Sequence, residues 1–212
     1  MTALVAATLS DAEAALAAFE ASVEHHYADN DGVRIHYAVT GAGPLLVFLH
    51  GFPDHWLGWW QVMDSLRANY RVVALDLRGY NLSDQPAEQQ AYAVGELVKD
   101  VQAVVSHQGA ERAIIIGHDW GGFVAWHVAM DKPEMVDGLV VLNMPHPWAI
   151  SRELTNNPAQ QKASEYVKLF SHPQAHLQFP RERLAAWVND PAFKARQQQA
   201  MDNSSLNGML NY

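Results

Sequence analysis

The residue most able to do chemistry is Asp119, in Gly117-His118-Asp119-Trp120-Gly121-Gly122. The apolar run Ile114-Ile115-Ile116 precedes it, and a helical stretch with Phe123, Val124, Trp126 and His127 follows. Small residues two before and two after a central polar residue mark a nucleophile elbow, a strand-to-helix turn tight enough to strain its central residue. Such a turn holds the side chain at the carboxyl edge of a sheet, over the positive end of a helix. A carboxylate there is ionised at neutral pH and needs no base to become a nucleophile. On an acyl carbon it would form a reactive anhydride. On a saturated carbon bearing a leaving group it forms a stable alkyl ester. Asp119 therefore predicts epoxide opening or halide displacement, with hydrolysis of the enzyme ester as the second step. The competing assignment is an Asp that merely caps the helix.

A second feature complements the first. His50-Gly51-Phe52-Pro53 follows the apolar run ending at Leu49. A loop at a strand end supplies one backbone N–H to an oxyanion hole, and the residue after the nucleophile supplies the other. The donors are then the amides of Phe52 and Trp120. They are needed most when water attacks the Asp119 carboxyl carbon and charge builds on its oxygen. Taken alone, His-Gly-Phe-Pro would read as an ordinary turn.

Strands and helices must hold these groups, and the chain has the composition to build them. Of 212 residues, 49% are hydrophobic and 17% charged, which excludes disorder by composition. Leu45–Leu49, Val72–Leu75, Ile114–Ile116 and Leu139–Leu142 are uniformly apolar, as expected of strands buried on both faces of a parallel sheet. Val94, Leu97, Val98, Val101, Val104 and Val105 recur at helical spacing. Strands alternating with helices predict βαβ units and an α/β fold. Ahead of them, Val23–Ala28 and Arg34–Val39 flank Asp29-Asn30-Asp31-Gly32 as strand, turn and strand. Residues 1–22 are Ala-rich, with Ser10 and Asp11 as N-cap candidates, and read as a helical extension without chemistry. Residues 23–145 form the α/β core. From 146 to 212 there is no strand-like run, and the segment reads as helical.

Composition also excludes partners and cofactors. A net charge of −9, from 14 Lys plus Arg against 23 Asp plus Glu, opposes binding to nucleic acid or an anionic membrane. With no cysteine there are no disulfides, thiolate metal sites or thiol nucleophiles. Eleven histidines form no helical ligand pair with a nearby carboxylate motif, so no metal is expected. His25 and His26 fall on opposite faces of a strand. The Trp56, Trp59, Trp60 cluster packs a helix or borders the pocket. The first basic residue is Arg34 and no apolar run approaches a membrane span, so a cytoplasmic location is expected.

In family order and spacing, His50-Gly51-Phe52-Pro53, Asp76-Leu77-Arg78-Gly79-Tyr80-Asn81-Leu82-Ser83-Asp84 and the Asp119 elbow resemble the α/β-hydrolase superfamily. They match the branch of epoxide hydrolases and haloalkane dehalogenases over residues 23–212. The resemblance implies a mostly parallel sheet flanked by helices, with a helical cap begun at 146. An apolar residue such as Phe52 in the oxyanion loop resembles epoxide hydrolases, where dehalogenases carry Glu or Asn. Trp120 suits both groups and counts against fluoroacetate dehalogenases. Asn143 stands where some dehalogenases place their acid, which an amide cannot replace. Arg78 is expected to shape its loop rather than to react.

For an epoxide the resemblance further implies two cap tyrosines that protonate the leaving oxygen. Tyr166 falls where the first is expected. The second follows a Leu-Asn-aromatic sequence, here Leu210-Asn211-Tyr212, which places it one residue past the chain, so Tyr212 itself is the weaker donor. His50, Pro53, His118, His146 and Tyr212 are candidates to line the pocket. The expected substrates are a small hydrophobic epoxide and water, with no cofactor and with homo-oligomerisation left open. The His–acid pair that activates water is absent from the chain, and the resemblance places it in ~80–100 further residues. Haloalkane dehalogenase is the competing enzyme. A non-catalytic module of the same fold is the reading if the protein ends at Tyr212.

Overall fold

The computed structural model describes residues 10–172 and 174–212; the first nine residues of the expected N-terminal extension, and Pro173, lie outside the described residues. Six strands form one sheet: β1 Glu24–Asn30, β2 Val33–Thr40, β3 Leu45–Leu49, β4 Arg71–Leu75, β5 Ala113–His118 and β6 Val136–Leu142. Their order is β1-β2-β4-β3-β5-β6. β1, β2 and β4 pair antiparallel, whereas β4-β3, β3-β5 and β5-β6 are parallel. β1 and β2 are joined through Asp31 and Gly32, both at positive φ. That geometry suits a two-residue hairpin turn, and Gly adopts it without a Cβ penalty.

Helices cover both faces. The sheet side is built with α1 Asp11–Glu20, α2 Trp60–Leu66, α3 Val94–His107 and α4 Trp120–Asp131. Successive residues of β3 serve two cores in turn. Val47 and Leu49 join Val73, Leu75, Val101 and Val124 on the α3–α4 face. Leu46 and Phe48 join Leu16, Phe19, Trp56, Met63 and Val72 on the α1–α2 face. Because side chains alternate along a strand, a strand covered on both faces must be apolar at every position. Trp56 and Trp60 pack against Phe19 of α1, so that helix is part of the second core.

β6 differs from the pattern its residues suggest. Leu139 and Val141 pack on the core, but Val140 is 47% and Leu142 41% exposed. Among the described residues β6 is the last strand of the sheet, and Val140 and Leu142 on its second face are not covered as β3 and β4 are.

Past β6 the described chain is helical: α5 Pro147–Asn156, α6 Pro158–Ala163, α7 Glu165–Phe170, α8 Ala175–Gln178, α9 Pro191–Asn203 and α10 Leu206–Met209. Proline opens α5, α6 and α9, where a missing N–H costs no helical hydrogen bond. Asn157 and Asp190 cap α6 and α9 with their side-chain oxygens. Met201, Leu206 and Met209 from α9 and α10 are buried in the α3–α4 core. No helix among the described residues is long and apolar enough to cross a membrane.

Between β4 and α3 the chain runs as an irregular loop held by buried polar contacts. Asp76 accepts from Trp56 N at 3.0 Å, His36 Nδ1 at 2.6 Å and Asn81 Nδ2 at 2.9 Å. Burial opposes its charge, but the hydrogen bond and proximity of His36, with His55 and His50 nearby, hold its pKa below the usual carboxylate range. Arg78 donates Nε and Nη2 to the two oxygens of Asp100 on α3, at 2.9 and 2.6 Å, and both side chains are buried. Its Nη1 also donates to Ala91 O at 2.7 Å. Arg78 thus pins the loop to α3. Arg78→Met leaves Asp100 buried without its cation and is expected to cost about 3–5 kcal/mol of stability in chemical denaturation. A second change, Asp100→Leu, should recover part of that loss; a single variant as stable as the parent would contradict the assignment.

Candidate active site

The elbow is built from backbone contact. A Cβ on Gly117 would collide with the Gly121 carbonyl, and one on Gly121 would collide with the Leu49 and His50 carbonyls. Only glycine lets β5, α4 and the end of β3 approach this closely. The chain turns between them at Asp119, with φ 53° and ψ −123°, a sparsely populated conformation for a residue with a side chain. Its backbone N–H donates to Leu142 O at 3.3 Å, which ties the turn to the end of β6.

Asp119 is the residue before α4, yet its side chain makes no capping hydrogen bond to that helix. Instead Oδ1 accepts from the Phe52 N–H at 2.9 Å. Phe52 reaches it because Gly51 has no side chain: a Cβ there would sit 2.5 Å from Asp119 Cβ and 2.9 Å from its Oδ1. The carboxylate is thereby held by one oxygen over the start of α4, and Trp120 follows directly.

Asp119 opens into a cavity of about 880 Å³. Phe52, Trp120, Phe123, Met144, Ile150, Leu154, Phe170 and Met209 make most of its wall apolar, and Asp119 and Lys168 are the charged residues lining it. Tyr166 on α7 lines the same cavity, so residues 47 positions apart in the chain share one pocket. Its ring meets Phe170 edge-on at 5.8 Å, and Phe170 lies 5.3 Å from Phe52.

The remaining candidates separate. Tyr212 lines the cavity with its ring, 5.7 Å from Trp120, while its hydroxyl donates to Arg78 O at 2.8 Å. Burial, reinforced by Tyr80, pushes its pKa well above the usual phenol value. His50 and His118 border a second cavity of about 260 Å³ with Asp54, Trp59 and Asn143. Neither histidine lines the larger cavity, and neither do Pro53 or His146. His146 caps α5, accepting at Nδ1 from Trp148 N at 3.1 Å, with its ring against Trp126. Asn143 reaches both cavities. No histidine is among the residues lining the larger cavity. No group of three His, Cys, Asp or Glu among the described residues is arranged to hold a metal ion.

His50 has a structural task that its motif does not announce. Its Nε2 accepts from Leu77 N at 3.0 Å, so Nδ1 carries the proton and donates to Gly51 O at 2.8 Å. The ring joins the Phe52 loop to the Asp76–Asp84 loop. Gln197 of α9 is also part of this arrangement, and it stands in Arg-Gln-Gln-Gln, where nothing local distinguishes it from its neighbours.

Residues 44–182 match the α/β-hydrolase fold family. The chain belongs to that family. It is 40% identical to mouse epoxide hydrolase 4 over 147 residues, which cover 68% of this chain and 41% of that protein. Against YfhM of Bacillus subtilis (strain 168), an AB hydrolase superfamily protein, identity is 41% over 154 residues, 71% of this chain and 54% of that one. Among solved structures, a point mutant of an epoxide hydrolase from Bacillus megaterium superposes with a TM-score of 0.81 at 37% identity, covering 88% of this chain and 70% of its own. The matched region thus spans about half or less of these curated relatives.

Burial holds the His50 pKa below 6.5, against the pull of Asp54 and Asp76. In the unfolded chain His50 takes up a proton below about pH 6.5, while the folded protein keeps it neutral. The unfolded state therefore binds more protons there, and stability present above pH 6.5 is lost as pH falls below it. One such group contributes a slope of up to about 1.4 kcal/mol per pH unit. His50→Gln should be less stable at pH 7 and show a flatter fall in stability between pH 6.5 and 5. Equal slopes in variant and parent, measured by denaturant titration, would contradict a neutral His50.

Proposed function

We propose that the protein hydrolyses epoxides to vicinal diols through an ester on Asp119. The observation that carries this is a carboxylate, rather than a hydroxyl, at the elbow. One of its oxygens is engaged by a backbone N–H, and the other is left for an apolar cavity that also holds a tyrosine. The likeness to epoxide hydrolases from mouse and Bacillus megaterium supports the same reading.

In the first step Asp119 Oδ2 attacks an epoxide carbon. The C–O bond of the ring breaks, and the departing oxygen takes the proton of the Tyr166 hydroxyl, leaving a phenolate that solvent reprotonates. The result is a hydroxyalkyl ester of Asp119. In the second step water attacks the Asp119 carboxyl carbon and passes one proton to solvent. Charge then gathers on the oxygen beside the Phe52 N–H, with the Trp120 amide as the second donor. Collapse of this intermediate breaks the ester C–O bond, and the departing alkoxide takes the remaining hydroxyl proton, which releases the diol and restores the carboxylate. No histidine lines the larger cavity among the described residues, so ester formation should outrun ester hydrolysis.

Incubation with a terminal aryl epoxide should add one epoxide mass to the peptide containing Asp119, and Asp119→Asn should abolish the adduct. Single-turnover hydrolysis in oxygen-18 water should label the Asp119 carboxylate before it labels the diol. Release of chloride or bromide from haloalkanes without diol formation would replace the proposal with dehalogenation. Absence of any adduct would leave a ligand-binding module instead.

Tyr166→Phe removes the proton donor without altering the packing against Phe170. It should slow adduct formation by about 10²-fold, toward the lower end of the general-acid range. An unchanged rate would take Tyr166 out of the reaction.

A further inference from the structure

Gln197 is the interior residue least explained by the fold. It lies on α9, yet it is fully buried and 144 positions from the loop it touches. A side-chain amide costs free energy to bury unless both its ends are paired. Here both are paired, and to one loop. Nε2 donates to the Pro53 carbonyl, and Oε1 accepts from His55 Nδ1 at 3.0 Å. The His55 ring stacks on Phe193 of the same helix, with centroids 5.9 Å apart and planes 10° apart.

That loop presents the Phe52 N–H to Asp119. Asp54 N donates to Gly51 O at 3.0 Å, which closes residues 51–54 into a turn with Phe52 and Pro53 at its centre. At its base, Gly51 O also accepts from His50 Nδ1. At its apex, Pro53 O is held by Gln197. Between the two pins the Phe52 N–H meets Asp119 Oδ1 at 2.9 Å.

We propose that Gln197 is a positioning residue: by clamping the Gly51–Asp54 turn from α9, it fixes the Phe52 N–H against the carboxyl group of Asp119. The inference rests on the epoxide reading for its kinetic consequence, though the clamp itself does not. Charge on the Asp119 oxygen beside Phe52 grows most in ester hydrolysis, and displacement of a donor by even 1 Å is costly. Loss of the clamp therefore slows ester hydrolysis more than ester formation. A residue that only docked α9 on the core would lower stability and leave the ratio of the two rates alone.

Two variants test this. Gln197→Leu removes both polar ends. Gln197→Glu keeps the shape and the acceptor for His55 but, when ionised, has no donor for Pro53. The first readout needs no substrate: exchange of the Phe52 amide hydrogen, followed by NMR in the 212-residue chain. It should speed up by about 10-fold or more in both variants, while amides in β3 such as Val47 stay protected. The second readout follows the Asp119 adduct by mass spectrometry after a pulse of aryl epoxide. Its decay should slow about 10-fold in both variants, short of the 10²–10³ expected for outright loss of a donor, with formation changed by less than about 3-fold. Unchanged exchange at Phe52, an effect in Gln197→Leu but not in Gln197→Glu, or equal loss in both steps would overturn the proposal. A parent chain that forms no adduct would instead overturn the epoxide reading, while amide exchange would still decide whether Gln197 clamps the turn.

Discussion

Backbone-on-backbone contact between Gly117, Gly121 and the Leu49–His50 carbonyls is the constraint on which the site depends. It lets β5 end, reverse and begin α4 against the end of β3 with no side chain between them. Asp119 then has little choice of conformation, and its positive φ is the local cost of the approach. The same closeness brings Gly51 against Asp119 and delivers the Phe52 N–H to its carboxylate. Any Cβ at these glycines would push the strands and helix apart and withdraw the donor.

Around that contact the molecule spends buried polar groups on holding loops. Asp76 and His50 each cross from one loop to another, Asp76 to Trp56 and His50 to Leu77, while Arg78 ties its loop to Asp100 on α3. Such groups stabilise only when paired, and each of these finds partners on more than one residue. They give irregular backbone at the carboxyl edge of the sheet a defined geometry that apolar packing alone would leave loose. The helices past β6 act from the other side. They supply the apolar roof of the cavity, the tyrosine at its edge, and the contact of Gln197 with the Phe52 turn.

Much of this was legible in the residues. Uniform apolar runs marked β3, β4 and β5 because a strand covered on both faces leaves no position for a polar side chain. Leu139–Leu142 carries the same pattern and forms β6, the last strand of the described sheet, where Leu139 and Val141 pack on the core and Val140 and Leu142 are exposed. The histidines show another. His50 and His118 stand in the two motifs, yet they turn to a smaller cavity, because a motif sets chain direction and spacing but not which way a neighbour's side chain points.

The sequence by itself determined the order of the elements, the tight elbow and the carboxylate at its centre. These follow from local sterics and short-range periodicity, which are written in consecutive residues. Only the tertiary structure decided that Phe52 N–H meets Asp119, that Tyr166 shares its cavity while the Tyr212 hydroxyl is spent on Arg78, and that Gln197 reaches Pro53. Those pairings join residues 47 to 144 positions apart. No local pattern encodes them; they arise when separate elements pack and each buried polar atom must find a partner across the fold.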